Sequence, residues 1–251
     1  MHWAIPFLVA FAVMGCAPSP LPDPNDPVEV PQMSGDVLAG NLSNAYNTLE
    51  SRRLRGEITE GQLRTFLREH AARLVAKVNL SKVKPTSAYL YGDAYRTAEE
   101  WDKAKLAYEI AVRADKDVER QIIDGLRLAQ CNAMLGDSSA CIKLVKLHLD
   151  AKPEQCAPIL PAVLLEIYPA AVGHGLDREL NSVLERAIDC HMRTVVDPNS
   201  AGGKAFLIAR PHMVRDAWDT IIATDLRNGH KDAADSAIAK RDRMIDAFGS
   251  G

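Results

Sequence analysis

The stretch that decides the fold is residues 85–118, PTSAYLYGDAYRTAEEWDKAKLAYEIAVRADKDV. Within it, small residues stand at Gly92, Ala104 and Ala111, and aromatic residues stand at Tyr95 and Tyr108. Small residues let two antiparallel helices approach closely, and aromatic side chains fill the space around such a contact. The pattern therefore predicts a helix–turn–helix unit.

This unit resembles a tetratricopeptide repeat, a 34-residue helical hairpin, because its small and aromatic residues fall at the marker positions of that family. It departs from the family at Ala88, where Trp or Leu is usual, and at Lys116, where Pro often ends the unit. A weaker copy follows at 122–155 and closes at Pro153. The resemblance implies an all-α fold of tetratricopeptide-like hairpins stacked into an α-α superhelix.

Three further helix pairs are predicted from apolar residues at helical spacing. They span 36–79, 156–191 and, after a loop at 193–204, 211–227 with 231–248. The second helix of the first pair begins with a capping box formed by Thr59 and Gln62. We place Pro211 in the first turn of its helix, where a missing N–H is tolerated.

The amino-terminal segment has a different composition. Residues 1–22 contain no Asp, Glu, Lys or Arg, and the apolar run 3–13 is shorter than the roughly 20 residues of a membrane-spanning helix. Such a run is typical of a secretory signal, and Pro6 disfavours the alternative of a buried helix. The sequence Val13-Met14-Gly15-Cys16 resembles the lipobox of bacterial lipoproteins, which implies lipid attachment at Cys16.

The segment after this cysteine is predicted to be a tether, because residues 17–34 hold six of the 14 prolines. The resemblance to lipoproteins implies a location in the bacterial cell envelope. Because Ala17 rather than Asp follows Cys16, we expect the periplasmic face of the outer membrane, if the organism has one. The predicted organisation is a signal peptide at 1–15, a lipidated tether at 16–34, a helical hairpin at 35–83, tetratricopeptide-like repeats at 84–192 and a helical pair at 193–251.

The other four cysteines bracket two predicted turns symmetrically. In an antiparallel hairpin, residues equidistant from the turn lie side by side, and export would permit disulfide bonds. The predicted pairs are Cys131–Cys141, around Gly136, and Cys156–Cys190, around Gly173. The alternative is that these cysteines are small, buried apolar residues. A zinc site is disfavoured, because no two cysteines have Cys-x2-4-Cys spacing.

Charge and motifs argue against several classes of function. The 30 basic and 33 acidic residues nearly balance, so we expect no nucleic-acid partner. No metal, nucleophile or phosphate-loop signature is present, so we predict no enzymatic activity, cofactor, metal or small-molecule substrate. A second hypothesis is a periplasmic enzyme, or an accessory subunit of one, that uses the 156–248 region around His174, His191 and His212.

The tetratricopeptide resemblance also implies a binding groove, lined by the first helix of each repeat. The family positions fall on Thr86, Tyr89, Asp93 and Arg96 in the first copy, and on Ile123, Leu126, Gln130 and Ala133 in the second. Of these, the predicted partner-binding residues are Tyr89, Asp93, Arg96, Leu126 and Gln130, and the expected partner is another protein or peptide of the cell envelope. The alternative is that Ile123 and Leu126 pack on the flanking hairpin. By analogy of fold and anchor, we expect an interaction scaffold in envelope assembly.

Overall fold

The computed structural model describes residues 32–249, and every regular element in that range is helical. The predicted all-α class is confirmed. The helices are α1 Gly35–Leu54, α2 Glu60–Val75, α3 Ala88–Thr97, α4 Trp101–Ala114, α5 Val118–Met134, α6 Ser138–His148, α7 Ile159–Ala162, α8 Tyr168–Ala171, α9 Asp177–Arg193, α10 Ala201–Arg227 and α11 Lys231–Gly249. A π-helical segment, Val163–Ile167, joins α7 to α8. The predicted signal peptide, Cys16 and most of the tether lie outside the described residues.

The helices pack as a row of antiparallel hairpins. The pairs are α1 with α2, α3 with α4, α5 with α6, the α7–π–α8 rod with α9, and α10 with α11. Neighbouring hairpins contact each other in chain order, through α2 and α3, α4 and α5, α6 and α9, and α9 and α10. This is the stacked arrangement that the tetratricopeptide resemblance implies.

The hairpin α3–α4 shows why its marker residues are needed. A Cβ atom added at Gly92 would lie 2.8 Å from the Tyr108 ring, which is closer than two carbon atoms can pack. Tyr95 and Tyr108 are both fully buried beside this contact. The absence of a side chain at position 92 therefore sets the distance between the two helices.

The capping box predicted for the start of α2 is present in the structure, and the turns between hairpin helices use left-handed residues. The Thr59 hydroxyl accepts a hydrogen bond from the backbone N–H of Gln62 at 3.2 Å, and the Gln62 side chain accepts one from the N–H of Thr59 at 2.8 Å. Gly136 turns the chain between α5 and α6 with φ +82°. The turn between α3 and α4 uses Glu99 at φ +59°, although glycine is the residue that favours this conformation.

Helix α10 corrects one prediction. It begins at Ala201 rather than near 211, because the Ser200 hydroxyl accepts a hydrogen bond from the N–H of Gly203 at 2.9 Å and starts the helix early. Pro211 therefore lies inside a 27-residue helix and not in its first turn. The predicted loop at 193–204 is correspondingly shorter.

The buried side chains form two apolar clusters that share helix α5. Leu128 and Cys131 belong to the amino-terminal cluster around Tyr95 and Tyr108. On its other face, α5 supplies Leu126 to the larger cluster, which extends to α11. Helix α5 is thus buried on two sides, and its remaining side carries the polar residues described next.

Candidate functional site: the inner-face network

Helices α3 and α5 each carry polar residues at the same four-then-three spacing, which places them on one face of a helix. On α3 these are Tyr89, Asp93 and Arg96, and on α5 they are Arg120, Asp124 and Arg127. Together with Tyr108, Gln130 and Glu166, they form a connected cluster, which we call the inner-face network. It links three successive hairpins.

Asp93 is the centre of this network. Its Oδ1 accepts a hydrogen bond from the Tyr108 hydroxyl at 2.5 Å, and its two oxygens lie 2.7 and 2.8 Å from NH1 of Arg127. Burial and the adjacent Asp93 carboxylate raise the pKa of Tyr108 well above its usual value, so the phenol remains a donor. Asp93 is therefore held from two helices at once.

Arg96 connects α3 to the π-helical segment. Its NH1 donates to Oε1 of Gln130 and to Oε2 of Glu166, both at 3.3 Å. Its Nε is buried and has no hydrogen-bond partner. One nitrogen of the guanidinium is thus shared between two acceptors, while another donor is unused.

Arg120 and Asp124 form the third part of the network. The Arg120 guanidinium lies 3.4 Å from the centroid of the Tyr89 ring, a cation–π contact, and its Nε donates to Oδ2 of Asp124 at 3.2 Å. NH2 of Arg120 and Oδ1 of Asp124 are 3.0 Å apart but are not aligned for a hydrogen bond. The Asp124 side chain is fully buried, and this burial raises its pKa to about 6, although Arg120 and Arg127 act in the opposite direction.

The structure divides the predicted partner-binding residues into two groups. It brings Tyr89, Asp93, Arg96 and Gln130 together at the partly exposed inner face. Leu126 is only 2% exposed and packs in the larger apolar cluster, so its assignment to the groove is wrong. Arg127, which follows Leu126 and contacts Asp93, is one of the network residues that the family positions missed. Its 34-residue separation from Asp93, one repeat length, is the signal that could have identified it.

The cysteines also divide into two groups. Cys156 and Cys190 are joined by a disulfide, with their Cα atoms 5.5 Å apart. The predicted Cys131–Cys141 bond is absent, and both thiols are buried. Cys131 faces the amino-terminal cluster and Cys141 the larger one, so equal distance from the turn does not bring their side chains together. Burial raises the pKa of each thiol to about 12.

The histidines of the second hypothesis are in different surroundings. His174 and His212 are exposed, whereas His191 is only 3% exposed and its ring centroid lies 4.6 Å from that of Phe206. Burial, with a smaller effect of Arg210, lowers the pKa of His191 to about 4. Neither ring nitrogen of His191 has a hydrogen-bond partner. A buried, neutral imidazole of this kind is not placed to exchange protons with a substrate at the surface.

A second polar cluster lies in the carboxy-terminal half, and we call it the C-terminal network. The Tyr168 hydroxyl lies 2.5 Å from Oδ1 of Asn181 and 2.8 Å from Oγ1 of Thr224, and Nδ2 of Asn181 donates to Asp225 at 2.8 Å. All four residues are buried. The network connects α8, α9 and α10, and it borders a cleft of about 240 Å³ between α9, α10 and α11.

Two further features bear on function. Between residues 32 and 249, none of the helices combines the length and the apolar character needed to cross a bilayer. Within the same range, no three His, Cys, Asp or Glu side chains are grouped so that they would hold a metal ion.

Comparison with solved structures gives three matching chains. A solved structure described as nearly identical TPR-like repeats of a kinesin light chain from Podosopora anserina is 14% identical, with a TM-score of 0.45, and the match covers 84% of this chain and 97% of that one. No protein-family model and no curated protein matches the chain. The fold assignment therefore depends on the helices and contacts described above.

Proposed function

We propose that this chain is a bacterial envelope lipoprotein that binds a protein segment along its inner face. The observation that carries the proposal is the inner-face network, in which polar side chains from three hairpins meet at a partly exposed surface. An extended segment crossing α3, α5 and the π-helical segment meets donors, acceptors and the Tyr89 ring in turn. Such a mixed surface is suited to recognition.

The chemistry of the network favours binding over catalysis. Its carboxylates Asp93 and Asp124 are engaged by arginines, and its phenol Tyr108 is held as a neutral donor. A general acid or base needs a group that can exchange a proton with a substrate, and a nucleophile needs an adjacent base. The arrangement supplies hydrogen bonds and charge to a partner instead.

The envelope location is supported by the sequence of the amino-terminal segment. Metabolic labelling with an alkyne analogue of palmitate tests it directly. We expect the wild-type chain to be labelled and to fractionate with membranes, and the Cys16→Ala variant to lose both properties. Retention of the label in Cys16→Ala would exclude lipidation at this residue.

The binding face is tested by site-specific photo-crosslinking in intact cells. A photoreactive phenylalanine analogue at position 89 keeps an aromatic ring on the inner face, and the same analogue at position 106 replaces the exposed Leu106 of α4 as a matched control. We expect position 89 to crosslink to a specific protein and position 106 not to. Equal crosslinking from both positions would contradict the proposed face.

A further inference from the structure

The inner-face network contains three arginines and three carboxylates that are held with unequal strength. Asp93 is bound by Arg127 and Tyr108, and Asp124 is fully buried against Arg120. Glu166 has a single contact in the network, to NH1 of Arg96, and its side chain is 41% exposed, against 30% for Asp93. Glu166 is therefore the carboxylate that can leave at the lowest cost.

The contact between Arg96 and Glu166 is also weaker than the strongest contact that a guanidinium can make with a carboxylate. Its 3.3 Å length exceeds the roughly 2.7–2.9 Å of a strong charge-assisted hydrogen bond. An arginine can bind a carboxylate with two parallel N–H donors, but Glu166 contacts only NH1, which Gln130 shares, while NH2 lies 4.0 Å from Oδ1 of Asp93. The guanidinium therefore has unused capacity for a carboxylate.

Glu166 lies on an irregular part of the helix, the π-helical segment, which brings it next to Arg96. Pro169 has no N–H to donate to the carbonyl of Leu165, so one regular α-helical hydrogen bond is missing at this point. The chain adopts the π-helical segment instead, which widens the helix at Leu165 and Glu166. Single π-helical turns are frequent at functional sites. Leu165, the neighbour of Glu166, is 50% exposed, so an apolar contact is available beside the charged one.

From these observations we propose that Glu166 occupies the position of an acidic side chain of the bound segment. This inference rests on the proposed function and specifies the chemistry of the partner. The partner's carboxylate displaces Glu166 and engages Arg96, while Arg120 and Arg127 keep their own carboxylates. With Glu166 displaced, three arginines face two carboxylates, and the excess positive charge selects an acidic segment.

The test is binding of a fluorescein-labelled hexaglutamate peptide, amidated at its carboxyl terminus, to the full-length chain by fluorescence anisotropy at low salt. We expect Glu166→Gln to tighten binding by about 2- to 5-fold, because it removes an exposed competing ion pair. Arg96→Gln should weaken binding by about tenfold or more, because it removes a charge-assisted hydrogen bond. Arg96→Lys keeps the charge without the planar fork and should give an intermediate loss.

Two matched controls separate this site from general charge effects. Glu69→Gln, on the exposed side of α2, and Arg243→Gln, on the exposed side of α11, make the same charge changes elsewhere and should leave the affinity unchanged. Circular dichroism checks that each variant is folded. An unchanged or weaker affinity in folded Glu166→Gln, or equal effects of Arg243→Gln and Arg96→Gln, would overturn the inference.

A third measurement distinguishes an acidic side chain from a terminal carboxylate. A hexaserine peptide with a free carboxyl terminus should not compete with the amidated hexaglutamate, and effective competition would contradict the proposed source of the charge. The crosslinking experiment at position 89 is independent of this probe. Crosslinking that persists while hexaglutamate fails to bind overturns the acidic partner and leaves the binding face in place.

Discussion

The inner-face network and the C-terminal network each connect several helical segments, but they differ in how completely their atoms are paired. In the C-terminal network, no buried side-chain atom of Tyr168, Asn181, Thr224 or Asp225 lacks a hydrogen-bond partner. In the inner-face network, Arg96 Nε, Arg120 NH2 and Asp124 Oδ1 are buried without one.

The two networks also differ in charge and in exposure. The C-terminal network is mostly neutral and closed, so each of its groups is satisfied within the protein. The inner-face network is made largely of ion pairs at a partly exposed surface. A fully satisfied polar network makes the packing of its helices rigid, whereas a buried polar atom without a partner costs stability. The difference is consistent with a structural role for the C-terminal network and with the binding role proposed for the inner-face network.

The largest expected effect is the difference in stability between a core variant and an inner-face variant. Leu126→Ala should destabilise the protein by about 2–5 kcal/mol, because it leaves a cavity in the larger apolar cluster. Tyr89→Ala, on the partly exposed face, should cost less stability but reduce partner binding. Urea unfolding of the two variants measures the difference. A Leu126→Ala variant with wild-type stability would contradict the assignment of Leu126 to the core and would favour a position in the groove.

The next effect is the pH dependence of stability, which has opposite signs for Asp124 in the inner-face network and for His191 in the carboxy-terminal half. The raised pKa of Asp124, about 6, means that the folded state holds this proton more tightly, so its contribution to stability falls as pH rises from about 4 to 6. The lowered pKa of His191, about 4, has the opposite sign, so its contribution is lost as pH falls from about 6.5 to 4. Each of these two residues changes the free energy of unfolding by about 3 kcal/mol over its pH range.

Single variants separate these two slopes. In Asp124→Asn, stability should rise with pH between 4 and 6, because His191 remains. In His191→Gln, it should fall over the same range, because Asp124 remains. Urea midpoints at pH 4.5 and 6 measure both slopes. Identical pH profiles in the two variants would show that these residues do not govern the dependence.

A third effect compares one hydroxyl in each network. Tyr168→Phe should cost about 1–3 kcal/mol, because it leaves Oδ1 of buried Asn181 without its donor and removes the hydroxyl contact to Thr224. Tyr108→Phe should cost less, because Asp93 keeps its contacts with Arg127. Thermal unfolding of the two variants under identical conditions gives the ranking. A larger loss in Tyr108→Phe would reverse the roles assigned to the networks.

The smallest expected effect is on the stability of Glu166→Gln. Because partly exposed ion pairs contribute little, we expect a loss below about 1 kcal/mol, even though this variant changes the affinity for an acidic peptide. Urea unfolding measures the stability. A loss of several kcal/mol would identify the Arg96–Glu166 contact as a structural link between hairpins.

Much of the fold could be predicted because its signals are local. The capping box at Thr59 depends on residues three positions apart, and the small residue at Gly92 follows the spacing of one repeat. The early start of α10 was missed because Pro211 suggested a helix start, while Ser200 supplied the actual cap. The turn at Glu99 contains no glycine, so its left-handed conformation had no sequence signal.

The candidate site was predictable only in part, because the family positions identify a face of one helix and not its neighbours. The structure places Tyr89, Asp93, Arg96 and Gln130 on one face, and their role in partner binding stays a prediction. The family positions missed Glu166, whose contact with Arg96 spans 70 residues and depends on the π-helical segment.

The sequence by itself determined the helical class, the order of the hairpins and the unusual composition of the amino-terminal segment, because helical periodicity, turns and charge are properties of neighbouring residues. Only the tertiary structure decided which side of α5 is core and which is surface. Leu126 and Arg127 are adjacent in the sequence, yet one is buried among apolar side chains and the other binds Asp93. Consecutive residues on a helix point about 100° apart, so packing against other hairpins is what gives each its role.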